Sequence, residues 1–409
     1  MKKSIFILIG FISTTVFAQK TIVANNQLVQ NLKKHIQFLA SDVLEGRRAG
    51  TIGEQKAALY IALQFESYGL KQKGESLFFQ TFTIKKDTIS PSSSRMGKNV
   101  IGYIDNKAPY TIVLGAHFDH LGYGEDHNSM YKGTEHLIHN GADDNASGTA
   151  ALLELARLLK KEKKPSYNYL FIAFSGEELG LFGSKYFVEH PTIDLKQVNY
   201  MINMDMIGRL NDSMALTIGG VGTSPTWDSI IHKNNFNFKI KIDSSGTGPS
   251  DHTSFYRKDI PVLFFFTGLH EDYHKPTDDF DKINYTGEAK IVQWVYQIIQ
   301  SSKKYHKLRF TKTREVQMNT AHSMKVTLGI MPDYTFNEKG VKVDGVMDDK
   351  PAKKSGMQAG DIIIQINTWP VNDLNGYMKI LSNEIFKKGY TTTVIISRKN
   401  QFITLPITF

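Results

Sequence analysis

The sequence predicts an α/β protein with a mainly parallel central sheet, covered by helices on both faces and followed by a small β-rich unit. Two observations carry this. Between about 99 and 306, short apolar runs alternate with helical segments, the pattern of strands joined by crossover helices. After residue 310 the character changes to short β-like runs separated by glycine-rich turns, with one helix among them. A chain of 409 residues exceeds a single ordinary core. With 41% hydrophobic and 22% charged residues the composition is that of a globular protein, which excludes wholesale disorder.

The elements follow in order. Residues 1–18 read as an export signal. Lys2 and Lys3 precede an apolar run over 5–12 broken only by Gly10, and Val16-Phe17-Ala18 stand before Gln19. Cleavage is expected after Ala18, with a periplasmic or extracellular destination. The run is too short for a spanning anchor, and no later segment is long and apolar enough to make a stable membrane span. The chain has no cysteine, which excludes disulfides and lipid attachment at that residue. Without Lys2 and Lys3, 47 cations against 40 acidic residues leave a net charge of +7. The lysines are scattered and not interleaved with aromatics, so nucleic acid is not an expected partner. Lys160, Lys161, Lys163 and Lys164 sit at a predicted helix end, where cations favour the dipole.

Leu28, Leu32, Ile36 and Leu39 give a helical period over 27–39, and a second helix runs over 53–68 and stops at Gly69. The span 85–97, with Pro91 and three serines, reads as a loop. Strands are expected over 99–104, 111–116, 167–174, 198–204, 214–218 and 261–266. Helices are expected over 146–159, 179–188, 225–233 and 283–306. In open α/β sheets ligands sit outside the carboxyl ends of the strands. His117 and Asp119 follow one predicted strand, Glu177 and Glu178 a second, and Asp205 a third. His274 lies in the loop after a fourth.

Five segments bear chemistry. In Gly115-Ala116-His117-Phe118-Asp119-His120 a strand-end histidine can face a metal while a nearby Asp orients its other ring nitrogen. Asn140-Gly141-Ala142-Asp143-Asp144-Asn145-Ala146-Ser147-Gly148 opens a helix, and either Asp could equally cap it. Ser175-Gly176-Glu177-Glu178-Leu179-Gly180 places adjacent carboxylates after an apolar strand, costly unless paired with cations or protons. Asn203-Met204-Asp205-Met206-Ile207-Gly208 isolates one Asp among apolar residues. Tyr273-His274-Lys275-Pro276-Thr277-Asp278 is the last.

Taken in this order, the five segments resemble the bacterial co-catalytic di-zinc aminopeptidases, whose relatives include glutamate carboxypeptidases and glutaminyl cyclases. The resemblance covers about 27–307, and Leu39-Ala40-Ser41-Asp42, Leu44-Glu45-Gly46-Arg47 and Gly50-Thr51 resemble that family's entry segment. It implies a zinc-peptidase-type sheet, peptide substrates and two Zn²⁺ ions. It implies that His117 and Asp205 bind one ion and Glu178 and His274 the other. Asp144, ahead of Asp143, would bridge them. Glu177 would act as general base and acid, Asp119 would orient His117, and Tyr273 would stabilise the oxyanion. No organic cofactor is implied.

His270-Glu271-Asp272-Tyr273-His274 also matches the H-E-x-x-H pattern of one-zinc proteases, which works only on a helix. Gly268 and Pro276 leave little room for one. His120, His127, His136 and His139 lie in a polar stretch and are expected to be mostly solvated. Asp251-His252, in Gly248-Pro249-Ser250-Asp251-His252-Thr253, resembles a loop beside the family's substrate pocket; a structural turn is the alternative. Residues 320–409 resemble a bacterial protease-associated PDZ domain. The likeness rests on Pro351-Ala352, on Ser355-Gly356-Met357-Gln358-Ala359-Gly360-Asp361 and on the apolar run after it. Leu328, Gly329, Ile330 and Met331 would form its carboxylate-binding loop, taking a C-terminal peptide by strand addition.

The expected organisation is therefore a signal at 1–18, a peptidase unit at 19–310 and a PDZ unit at 320–409. The expected activity is aminopeptidase. Three alternatives stand beside it: a glutaminyl cyclase, a non-catalytic peptide-binding protein, and a carboxypeptidase. The last would need a cationic pocket, for which Arg47, Arg48, Arg209 and Arg257 are candidates.

Overall fold

The computed structural model describes residues 24–84, 94–126, 128–233, 236–313, 326–332, 336, 338–346 and 350–409. The export signal, most of the 85–97 loop and His127 lie outside the described residues. Two helices come first, α1 (Asn26–Leu39) and α2 (Ile52–Ser67). The Asn25 side chain accepts from Leu28 N, and Thr51 accepts from Glu54 N, so each helix begins on a capped donor.

The large sheet follows. Its elements are β1 (Lys71–Gln72), β2 (Phe79–Ile84), β3 (Arg95–Ile104) and β4 (Thr111–His117), then α3 (Gly148–Lys160), β5 (Asn168–Phe174), α4 (Phe182–Glu189) and β6 (Val198–Met204). After these come β7 (Ala215–Gly219), α5 (Thr226–Lys233), β8 (Lys239–Ile242), α6 (His252–Tyr256), β9 (Val262–Phe266) and α7 (Tyr285–Ser302). The strand order is β1-β3-β5-β4-β6-β9-β7-β8, with β2 paired to β3. The central strands β5, β4, β6 and β9 are parallel, while β3 and β7 join them antiparallel.

Every residue of β4, β5 and β6 is buried, which is why each reads as a continuous apolar run. Within β4, Ile112 and Leu114 pack with residues of α1, α2, α3 and α7, whereas Val113 packs with α4 and α6 on the opposite face. Strands β1, β2 and β8 escape sequence reading. Two of them are very short and exposed, and β2 is defined by its pairing to β3.

The second sheet is antiparallel: β10 (Ile330–Pro332), β11 (Val341–Val346), β12 (Ile362–Ile366), β13 (Trp369–Pro370), β14 (Thr391–Arg398) and β15 (Gln401–Thr408). Helices α8 (Pro351–Lys354) and α9 (Leu374–Leu381) accompany it. Leu328, Val343, Ile363, Phe386, Val394 and Ile407 belong to its own apolar core. The one helix expected among the C-terminal β-like runs, read from the sequence as about 373–386, is shorter, because Asp373 caps it and the chain turns after Leu381 to bring Phe386 into that core. No helix among the described residues is long and apolar enough to cross a membrane.

Arg47 ties the first segments to the sheet. It is fully buried and donates to the carbonyls of Leu39, Phe118, Asn140 and Gly141. Burial lowers its pKa to about 10, which leaves it charged at neutral pH. The expectation that Arg47 could face a substrate carboxylate is therefore corrected, since its donors are spent on backbone. Arg47→Met removes these charge-assisted bonds and strands four carbonyls. It is expected to cost at least about 3 kcal/mol in urea unfolding of the full chain.

Candidate metal centre

The carboxyl ends of three neighbouring parallel strands deliver most of the site. His117 ends β4, Glu177 and Glu178 form the turn after β5, and Asp205 follows β6. His274 comes from the turn region beyond β9, and Asp144 from the short segment Ala142–Ser147 that leads into α3. Gly141 enters that segment with φ 57°; a Cβ there would lie 2.2 Å from Asp144 O and 2.4 Å from His120 Cδ2. Only glycine allows the ring and the loop to approach so closely.

Asp144 stands between two histidines. Its Oδ1 lies 3.4 Å from His117 Nε2, and its Oδ2 lies 3.2 Å from His274 Nε2. His117 Nε2 is also 3.3 Å from Asp205 Oδ1, and His274 Nε2 is 3.1 Å from Glu178 Oε2. The five residues named as ligands from the sequence thus converge as two clusters that share one carboxylate. The donor atoms of His117, Asp144 and Asp205 all lie within 4.8 Å of one another. His120, Asp144 and Glu178 form a second such group among the described residues.

Neighbours fix each donor. His117 Nδ1 lies 3.2 Å from the Asp119 carbonyl oxygen, so this ring nitrogen carries the proton and Nε2 is free to bind. The Asp119 carboxylate lies farther away, 3.7 Å from that nitrogen, and accepts from Glu177 N at 3.2 Å. Asp119 thus faces His117 through both its carbonyl and, at longer range, its carboxylate, and the same side chain also holds the Glu177 turn. His274 Nδ1 donates to Asn128 O at 2.8 Å. Ser250 Oγ donates to Asp205 Oδ2 at 2.8 Å, and Asp278 Oδ2 accepts from the backbone N–H groups of Asp143 and Asp144 at 2.9 and 3.0 Å.

Asp143 and Asp144 separate cleanly. Asp143 Oδ1 accepts from Gly208 N at 2.6 Å, and its Oδ2 lies 3.1 Å from His270 Nε2. Asp143 and His270 are therefore partners of one another, outside the two clusters. Residues 271–274 form a turn, and Glu271 is exposed. His270 and His274 do not share a helix face, so the H-E-x-x-H match has no structural basis.

The electrostatics call for a cation. Burial opposes charge on His274, yet Glu178 and Asp144 push its pKa up to about 11; the same balance holds His117 well above its ordinary value. Glu178 falls to about 2 against burial and Asp144, because His274 and His120 face it. Imidazole nitrogens and carboxylate oxygens, buried and jointly demanding positive charge, fit Zn²⁺. Glu177 behaves differently: burial raises its pKa well above the carboxylate range, and its Oε2 lies 4.0 Å from His117 Nε2. The Tyr273 ring stacks on His274 at 3.9 Å, and burial with the nearby Asp144 keeps its phenol protonated.

Several functional neighbours were misread or missed in the sequence. His120 and His139 are buried rather than solvated: His120 Nδ1 lies 2.8 Å from Glu178 Oε1, and His139 Nε2 lies 2.7 Å from Ser129 Oγ. His136 is exposed and stacks on Tyr123 at 4.2 Å. Asp251 is fully buried and its charge acts on Glu177, which favours the site-lining reading; burial raises its pKa to about 7. His252 stacks on Phe264 at 4.5 Å, and burial keeps it neutral. Ser250, beside them, could have been found from the same motif. Arg48 and Arg209 are engaged by acids: Arg48 Nε lies 2.7 Å from Asp126 and Arg209 Nη2 lies 2.8 Å from Asp272.

Comparisons with known proteins bear on the family and the fold. The model of peptidase family M28 matches residues 99–299, and that of the PDZ domain matches residues 315–408. The chain is 29% identical over 257 residues to Aminopeptidase YwaD of Bacillus subtilis (strain 168), covering 57% of this chain and 51% of that protein. It thus spans about half the length of this curated relative. Two solved structures share the fold. One is a Zn-dependent exopeptidase from Parabacteroides distasonis, with TM-score 0.56 at 18% identity, covering 66% of this chain and 97% of the other. The second is a Bacteroides thetaiotaomicron glutaminyl cyclase, with TM-score 0.54 at 21% identity and coverage of 66% and 97%. Residues 99–299 belong to peptidase family M28, and a PDZ domain follows them in the chain.

Proposed function

We propose that the chain is an exported aminopeptidase that hydrolyses the N-terminal peptide bond with two Zn²⁺ ions. One observation carries the two-metal reading: Asp144 turns one carboxylate oxygen toward each of two histidines. His117 and Asp205 would hold one ion, Glu178 and His274 the other, and Asp144 both. When bound, such ions polarise the scissile carbonyl and bring the pKa of water to about 7.

The remaining steps belong to side chains. Glu177 sits beside the His117 cluster, and its raised proton affinity suits a group that takes a proton from the attacking water and returns it to the leaving amine. Tyr273, protonated and stacked on His274, would donate to the oxyanion. The aminopeptidase direction is supported by the name of the Bacillus subtilis relative. It also draws support from the engagement of Arg47, Arg48 and Arg209, which leaves those three unsuited to a substrate carboxylate. Export rests on the pattern of residues 1–18 alone, and the site would then face the periplasm or the exterior.

The PDZ unit would bind a peptide C-terminus at Leu328, Gly329, Ile330 and Met331. Gly329 has φ 75°, and β10 is an edge of its sheet, open to strand addition among the described residues. A non-catalytic binding protein would not need the buried acids around Asp144.

Glu177→Gln is expected to lower kcat by about 10²–10⁴-fold while zinc content stays unchanged. Glu271→Gln should leave kcat within about twofold. The reverse pattern would restore the one-zinc reading. On a peptide panel, free N-termini should be cleaved and N-acetylated ones spared. Ammonia release from N-terminal Gln without cleavage would identify a cyclase instead. Calorimetry of the full chain with a C-terminal peptide library should show binding that Gly329→Val removes; no binding to the unaltered chain would end the recruitment idea.

A further inference from the structure

The two clusters around Asp144 are anchored in different ways. The His117–Asp205 pair is held by the sheet. His117 lies at the end of β4 with its carbonyl bound by Thr149 Oγ1 at 2.8 Å, and Asp205 N donates to Phe265 O at 3.1 Å. The Glu178–His274 pair leans instead on a segment with His120, Asn128 and Met130, which lies beyond the Asp119 carbonyl that holds His117 Nδ1. His120 Nδ1 lies 2.8 Å from Glu178 Oε1, so an N–H there occupies one carboxylate oxygen and leaves Oε2 turned to His274. Asn128 reaches both ligands: its carbonyl accepts from His274 Nδ1 at 2.8 Å, and its Nδ2 donates to Glu178 O at 3.3 Å. Met130 N donates to His274 O at 2.9 Å. His274 needs such support, because its φ of 55° is a left-handed conformation that is strained for a non-glycine residue.

The same segment is clamped from outside. Asp126 accepts from Arg48 Nε and Nη2 at 2.7 and 2.8 Å, and from Arg95 Nη1 and Nη2 at 3.0 and 2.8 Å. Arg48 follows the Asp42–Arg47 turn, and Arg95 opens β3, so one carboxylate fastens the segment to two separate parts of the fold.

We propose that His120 and Asn128 are positioning residues for Glu178 and His274, and that the Asp126 clamp, through them, sets the affinity of that metal position independently of the His117–Asp205 position. The inference rests on the two-metal reading. His120 engages Oε1 of Glu178 and leaves Oε2 beside His274, where the two would hold a metal ion, and the clamp keeps the Asn128 carbonyl on the His274 ring. The two positions therefore differ in their dependence on the 120–139 segment, although they share Asp144.

The test is a zinc titration of the metal-free full chain against a competing chelator. Unaltered protein should bind two ions in separable steps. His120→Ala should weaken one step by about 10–100-fold and leave the other within about twofold. His120→Asn, which keeps a side-chain donor, should recover part of the loss. Asp126→Ala, outside the metal cluster, should weaken the same step as His120→Ala. Equal weakening of both steps, or of neither, overturns the inference. So does a zinc-edge absorption spectrum in which both His120 variants lose one imidazole ligand, since His120 would then be a ligand itself. Fewer than two ions in the unaltered protein would defeat the two-metal reading instead.

Discussion

Mutual repulsion among buried carboxylates is the constraint on which this architecture depends. Asp119, Asp144 and Asp205 are buried and Glu177 and Glu178 half-buried where the parallel strands end, and burial opposes the charged form of Asp144, Glu177, Glu178 and Asp205. The fold tolerates them because cationic partners sit among them. His117 and His274 are pushed toward protonation, and the buried Arg47 lies close enough for Asp119, Asp144, Asp278 and Glu178 to act on its charge. Imidazoles whose pKa values the surrounding carboxylates raise this way are compatible with a bound cation at the same place.

The sheet makes this crowding possible. Parallel strands buried on both faces end together, so residues far apart in sequence emerge side by side. The loops are then held by polar groups that are themselves buried. Asp278 bridges two backbone N–H groups beside Asp144, Ser250 orients Asp205, and Arg47 gathers carbonyls from three segments. Removing any of these leaves an unsatisfied polar group in a place water does not reach, which links the stability of the fold to the geometry of the metal ligands.

Much of this was legible from local pattern. β4, β5 and β6 announced themselves as apolar runs because no residue in them meets solvent. Among the candidate ligands, His117, Glu178 and Asp205 were legible because each stands at the end of such a run, whereas Asp144 and His274 were reached through the family resemblance. The separation of Asp144 from Asp143 came from resemblance, and its physical basis is visible only in three dimensions, where Asp143 is occupied by Gly208 and His270. What escaped depends on distant contacts. His120 stands in a polar stretch yet is buried, its Nδ1 against Glu178, 58 residues away in sequence. Arg47 looked available because nothing near it in sequence shows that carbonyls 71, 93 and 94 residues away converge on it. The accidental H-E-x-x-H shows the opposite error, in which correct spacing lies on a turn and spacing without a helix places the two histidines on different partners.

The central claim is that Asp144 is shared by two metal positions. Anomalous diffraction at the zinc edge, on crystals of the full chain grown with zinc, tests it most directly. The account predicts two peaks, one against His117 and Asp205, the other against Glu178 and His274, with Asp144 in contact with both. A single peak between His270 and His274, or one held by Asp143, would contradict it.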